Sequence, residues 1–194
     1  MSQSSATPEP RCEARRRQIL DAAAACFARE GFHGASIAKI SKAAEMSSGH
    51  IYHFFENKEA IIAALVERKL EQSLTMVQQF EHADDVHQAM QERVDIGVNE
   101  RTDLDYAALE LEILAEAARN PRVAAIVQTA DAAKRERLRR LLVSARGAPS
   151  GDEAAATEII MALFDGLASR AISNPGLDRN ALLAPLQAAL RALT

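Results

Sequence analysis

Ser36-Ile37-Ala38-Lys39-Ile40-Ser41-Lys42-Ala43-Ala44-Glu45-Met46-Ser47-Ser48-Gly49-His50-Ile51-Tyr52-His53, followed by Phe54-Phe55-Glu56-Asn57-Lys58, is the stretch that decides how this chain folds. Ser36 is placed to N-cap a short helix over Ile37–Ala44, whose Ile37, Ile40 and Ala44 share one face. Ser47 opens a second helix that runs through His53. Between them Ala44-Glu45-Met46-Ser47 leaves room only for a tight turn. Asn57 is a third cap, and Glu59 follows in the first turn, where a carboxylate suits the helix dipole. Two short, separately capped helices joined by such a turn make a helix-turn-helix.

Working outward, Ile19, Leu20, Ala23, Ala24 and Phe27 form one stripe of a helix over Glu13–Glu30, with Gly31 as its C′ residue. Downstream, Ile61, Leu65, Leu74 and Val77 recur at helical spacing along Asn57–Phe80. Further helices are predicted over Asp84–Glu100, Asp103–Arg119, Pro121–Ala145, Asp152–Ser173 and Asp178–Leu193. Asn120-Pro121 puts Pro at N1 behind an Asn cap, whereas Pro185 should kink the last helix or delay its start. Aromatics make up only 4% of the chain, Trp is absent, and strand-forming chemistry is scarce. The fold class is therefore all-α: a three-helix helix-turn-helix domain over 13–58 and a helical remainder over 59–194, behind a disordered tail at 1–12.

Composition narrows the function. A mean hydropathy of −0.14 and the absence of a bilayer-length apolar run argue against a membrane protein. Residues 1–10 lack a signal peptide's apolar stretch, and two cysteines, Cys12 and Cys26, suit a reducing cytoplasm, which is the expected location. The net charge of −4 hides an asymmetry: residues 1–70 carry 10 Lys/Arg against 8 Asp/Glu, the rest 13 against 19. Arg11, Arg15, Arg16 and Arg17 crowd the start of the first helix. Phosphate binding needs only local positive charge, so the acidic remainder does not exclude DNA.

The second helix of the motif begins with Ser47, Ser48 and Gly49, small enough to let a helix end sit deep in a major groove. His50, Tyr52 and His53 follow with donors suited to base edges and phosphates; Tyr52 could also simply pack. Phe27, Gly31-Phe32, Ser36-Ile37, Ile40, Ala43-Ala44, Ser47, Gly49, Ile51-Tyr52, Phe55 and Lys58 together resemble the DNA-binding domain of the tetracycline-repressor (TetR) family. The resemblance implies a ligand-responsive repressor, a homodimer on a near-palindromic double-stranded DNA operator. It also implies DNA contacts from Ser36, Lys39, Ser48, Gly49, His50, Tyr52, His53 and Lys58. Two positions depart from the family pattern. Glu45 stands where the family usually has a turn Gly, so the turn either differs or tolerates strain of about 1–2 kcal/mol. Ala38 cannot hydrogen-bond a base, which shifts specificity toward His50 and His53.

The same resemblance makes the remainder a ligand-binding and dimerisation domain for a small-molecule effector, with no cofactor. Leu111-Glu-Ile-Leu-Ala-Glu-Ala-Ala-Arg-Asn-Pro-Arg122 is similar to a C-terminal subtype shared with the betaine-regulator branch. Ala155, Ala162, Gly166, Ser169 and Ser173 put small residues along the predicted Asp152–Ser173 helix. That face, paired with the last helix, would build a four-helix dimer interface, or part of it would pack inside one subunit. Residues interrupting apolar faces are the pocket candidates: Met76, Phe80, Tyr106, Glu110, Ile113, Phe164 and Asp165. A Glu beside a Tyr would suit a cationic amphiphile; alternatively Glu110 faces solvent and Tyr106 is core. His50 and His53 have no Cys or carboxylate nearby to complete a metal site, and His82 and His87 should face solvent. No nucleophile–base pair or phosphate loop points to an enzyme. The competing reading is a helical regulator that acts by protein–protein contact without specific DNA binding.

Overall fold

The computed structural model describes residues 8–83 and 85–194. Among these residues there are ten helices and no strand: α1 Pro8–Gly34, α2 Ile37–Ala43, α3 Ser48–Phe54, α4 Lys58–Glu81, α5 Val86–Glu92, α6 Val94–Arg101, α7 Leu104–Ala117, α8 Pro121–Arg146, α9 Glu153–Ser173 and α10 Arg179–Leu193. The sequence caps form as expected. Ser36 accepts from Lys39 N, Ser47 from His50 N, Asn57 from Ala60 N, and Asn120 from Arg122 N and Val123 N.

Two boundaries differ from expectation. α1 begins at Pro8, so residues 8–12 are helical where a tail was expected, and residues 1–7 lie outside the described residues. Proline costs little in a first turn, where its missing N–H would have no intrahelical partner. The stretch expected as one helix over Asp84–Glu100 is two, α5 and α6, meeting at Arg93 with φ −109° and ψ 10°. Its expected first residue, Asp84, is outside the described residues; Asp85 caps α5 instead, accepting from Gln88 N. α10 keeps its expected span and runs through Pro185, so its start is not delayed.

Two hydrophobic cores organise the chain. The first gathers Ile19, Phe27, Phe32, Ile40, Ile51 and Phe55 from α1–α3 and the segments beside them, with Ile61, Ile62 and Leu65 of α4. Leu109 and Ile113 of α7 and Val123 of α8 complete it, so residues 58 and 59 do not mark a seam in the packing. The second holds Phe80, Met90, Val94, Val98, Leu138, Leu142, Ile160 and Met161. α4 enters both cores, and α7 packs against α1 at one end and α9 at the other.

Candidate nucleic-acid interface and effector cavity

α2 and α3 are held rigidly enough to present a defined face. Ser41 Oγ lies 3.1 Å from Ser48 Oγ and donates to Ala38 O, joining the two helices. At the turn between them Glu45 adopts φ +53°, so the left-handed geometry is kept without glycine. Neighbouring bonds hold it: Met46 N donates to Ser41 O, and Gln18 Nε2 of α1 donates to Ala44 O at 2.8 Å. Gly31 has φ +72° and ψ 168°, a region essentially reserved for glycine, and kinks α1 before its last residues.

Gly49, His50, Tyr52 and His53 all lie exposed on one flank of α3. Tyr52 is 56% exposed, an unusual position for a large aromatic with nothing to cover it. His50 stacks on Phe54 with ring centroids 5.6 Å apart, and His53 meets the same ring edge-on at 5.4 Å. One half-buried phenylalanine thus orients both imidazoles.

The other four expected DNA contacts are engaged inside the protein. The Ser36 hydroxyl caps α2, and that of Ser48 joins α3 to α2. Lys39 Nζ pairs with Glu30 and donates to Gly34 O at 3.0 Å. Lys58, expected on a phosphate, donates from Nζ to Phe32 O at 2.7 Å and Ala35 O at 3.0 Å, 4.4 Å from the centre of the Phe32 ring. Its charge sits on carbonyls that the end of α1 leaves without helical partners, so its first task is to clamp the α1–α2 junction.

The seven pocket candidates divide between two adjoining chambers. Met76, Phe80 and Phe164 line a cavity of about 160 Å³, with Val77, Met90, Val94, Leu138, Ile160 and Met161. Gly97 lets the Phe164 ring come close, since a Cβ there would stand 2.7 Å from Phe164 Cε1. Tyr106, Glu110, Ile113 and Asp165 line a second cavity of about 130 Å³. Ser73, Arg101 and Lys134 border both.

Beside Glu110 and Tyr106, where a cation was expected, the chain places a cation of its own. Lys69 Nζ pairs with the Glu110 carboxylate and lies 3.9 Å from the centre of the Tyr106 ring. The protein's own ammonium fills that place. Burial pulls the Lys69 pKa below its ordinary range, against the attraction of Glu110. Burial also pushes the Tyr106 phenol up, and Arg101 only partly offsets this. For Arg101 itself burial acts downward, but Tyr106, Asp165 and Glu110 outweigh it and raise the pKa. Arg101 donates to Asp165 Oδ1 at 2.6 Å, and Lys134 approaches the same oxygen at 3.6 Å.

Arg101, Lys134 and Lys69 are absent from the expected site. A signal for one of them was present: Val94, Val98 and Arg101 fall on a single helical face at i, i+4 and i+7, a charge in apolar register. His87, expected in solvent, is half-buried, with its ring nitrogens 3.1 Å from Thr194 Oγ1 and 3.0 Å from Ala145 O. It ties α5 to the ends of α8 and α10.

α7 connects the second chamber to the end of α1. Tyr106, Glu110 and Ile113 look into the second cavity, while Glu112 Oε1 accepts from Phe32 N at 2.6 Å. One turn on, the buried Glu116 carboxylate is 3.2 Å from His33 Nε2 and accepts from Asn120 Nδ2 at 3.1 Å.

Comparison with known proteins agrees with this architecture. Residues 19–65 match the model for bacterial regulatory proteins of the tetR family, and residues 82–194 match that for the C-terminal part of BetI-type transcriptional repressors. The HTH-type transcriptional regulator UidR of Escherichia coli (strain K12) is 36% identical over 118 residues, covering 58% of this chain. The matched stretch spans little more than half, 57%, of that relative's length. Among solved structures, Salmonella enterica GusR superposes with a TM-score of 0.77 at 29% identity, over 98% of each chain. FadR of Bacillus subtilis in complex with stearoyl-CoA shares the fold, with a TM-score of 0.75 at 22% identity over 90% of this chain and 96% of its own. Matched over residues 19–65 and again over 82–194, the chain belongs to the tetR family of bacterial regulatory proteins.

Proposed function

We propose that the chain works as a homodimeric repressor that leaves a near-palindromic operator when a small amphipathic molecule enters the chambers beneath α4 and α7. The observation that carries this reading is the exposed flank of α3, where Gly49, His50, Tyr52 and His53 stand on a helix locked to α2. A helix so presented fits a major groove, its imidazoles able to meet base edges and its phenol a phosphate. Ser36, Lys39, Ser48 and Lys58 serve this face chiefly by holding its frame. Two protomers would pair through α9 and α10, whose outer faces expose Ala155, Ile159, Ala162, Gly166, Ile172, Ala184 and Ala188.

An effector releases DNA only if it binds better to a conformation whose α3 helices no longer match the half-site spacing. Two elements join chamber to groove. α4 carries Met76 and Phe80 at one end and Lys58 at the other, and α7 carries Glu110 beside Glu112.

Selection of genomic fragments with the purified protein tests the reading, and bound fragments should share an inverted repeat. On that repeat His50→Ala should relax discrimination at one position per half-site, where a base contact is worth about 1–3 kcal/mol. Tyr52→Phe should weaken all operator variants alike. Failure to retain any fragment over random DNA would favour the protein–protein reading instead.

A further inference from the structure

We infer that the effector is a compact apolar monocarboxylate, its body among Met76, Phe80, Met161 and Phe164 and its carboxylate between Arg101 and Lys134. The inference rests on the effector reading above and adds the chemistry of the ligand. The walls of the larger chamber are thioether, aliphatic and aromatic carbon over most of their extent, so the body of an occupant must be apolar. Its volume, about 160 Å³, is close to that of a cavity of about 150 Å³ known to hold benzene, which sets the scale of that body.

The charged groups decide the other end. Arg93, Glu100, Arg101 and Lys134 are the charged side chains of this chamber. Arg101 and Lys134 share a single carboxylate, Asp165, at 2.6 and 3.6 Å. Glu110, the next acid on the neighbouring wall, is taken by Lys69. Arg93 is bonded to Gln79 and packs against the Phe80 ring, while Glu100 is the lone acid of the chamber.

Counted together, the three cations Arg93, Arg101 and Lys134 face two carboxylates, Glu100 and Asp165, which leaves one positive charge without an acidic partner beside a low-dielectric space. The Arg101 side chain is 10% exposed, and among the described residues its only hydrogen-bond partner is Asp165, so further N–H groups of its fork remain. An incoming carboxylate supplies the missing charge and fits the planar fork; an ammonium would meet Arg101 and Lys134 as like charges. Ser73, Arg101 and Lys134 border both chambers, which places the carboxylate at their junction and the apolar body wholly on one side.

Titration calorimetry on the intact protein tests this with hexanoate, phenylacetate, their neutral amides, hexylamine and stearoyl-CoA. At least one acid should bind about 10-fold or more tighter than its amide, as expected of a hydrogen bond to a charged group, and hexylamine should not bind. Arg101→Gln and, separately, Lys134→Gln at a less buried position should bring the acid-to-amide ratio toward one while amide binding persists. The inference is overturned if neither acid binds, if amide or amine binds as well as acid, if stearoyl-CoA binds tighter than both acids, or if neither substitution changes the ratio. Operator retention is measured in parallel. DNA bound without acid binding sinks the ligand class and leaves the regulator; acid bound without DNA release sinks the effector reading and leaves the ligand class.

Discussion

Lys58 shows how one side chain changes its meaning between a pattern and a fold. Its ammonium bridges the Phe32 and Ala35 carbonyls, so it closes the end of α1 against the start of α4. Lys58→Ala should cost about 2 kcal/mol, the scale of a hydrogen bond to a charged group, and appear as a lower Tm. If Lys58 acts only as this clamp, the salt dependence of DNA binding should stay the same; a slope lower by about one unit would give it a phosphate contact as well. Tyr106 offers a second test at this scale. Burial raises its pKa in the folded chain above the unfolded value of about 10. The proton is therefore held more tightly when folded, and the stability this gives is complete below the unfolded pKa and lost as pH rises beyond it. In a Tyr52→Phe background Tyr106 is the single tyrosine left. Its tyrosinate absorbance should stay silent through pH 10 and rise together with the loss of helicity. An ordinary phenol titration in the folded protein would contradict the burial argument.

At the scale of elements, α7 is the helix that joins the second chamber to the end of α1. Its Tyr106, Glu110 and Ile113 line a chamber, and its Glu112 holds the backbone N–H of Phe32 at the exit of α1. Gly31 is part of this joint: a Cβ there would stand 3.2 Å from Glu112 Oε1, and its backbone conformation suits glycine alone. A movement of α7 would therefore be felt at the root of α2 and α3. Glu112→Ala leaves the Phe32 N–H without its partner, a loss of about 1–3 kcal/mol for a buried donor. Hydrogen exchange at Phe32 should accelerate about tenfold or more, with amides at the far end of α8 unaffected. Equal acceleration throughout the chain would mean global destabilisation rather than a local joint.

For the whole molecule, the outer faces of α9 and α10 have the composition of an interface and lack a covering within the protomer. Ile159 and Ile172 are 48% and 45% exposed beside the small residues Ala155, Ala162 and Gly166. No heavy atom lies within 4 Å of a Cβ built at Gly166, so a side chain there has open space in the single chain. In the dimer proposed above, Gly166→Leu should raise the monomer fraction in sedimentation with helicity retained, since overpacking a close helix pair costs about 1–3 kcal/mol. A dimer as tight as the parent would place the pairing surface elsewhere.

Local chemistry was the part that the sequence by itself determined. Ser36, Ser47, Asn57 and Asn120 cap the helices that follow them because a cap depends on residues two or three positions away. The helix-turn-helix and its apolar inner face were legible for the same reason, whereas the left-handed geometry at Glu45 was one of two readings left open and was decided by the structure. The seven pocket candidates were legible as residues but not as a site, for the tertiary structure divides them between two chambers. The sign of the charge facing a ligand was decided only there. Lys69 neutralises Glu110 across 41 residues, and Arg101 meets Asp165 across 64, distances over which no helical periodicity carries information. Lys58, a DNA contact by resemblance, likewise has two carbonyl partners that only the packing of α1 brings to it. A pattern along the chain tells which side chains share a face; only the packing of faces tells which charges are already answered.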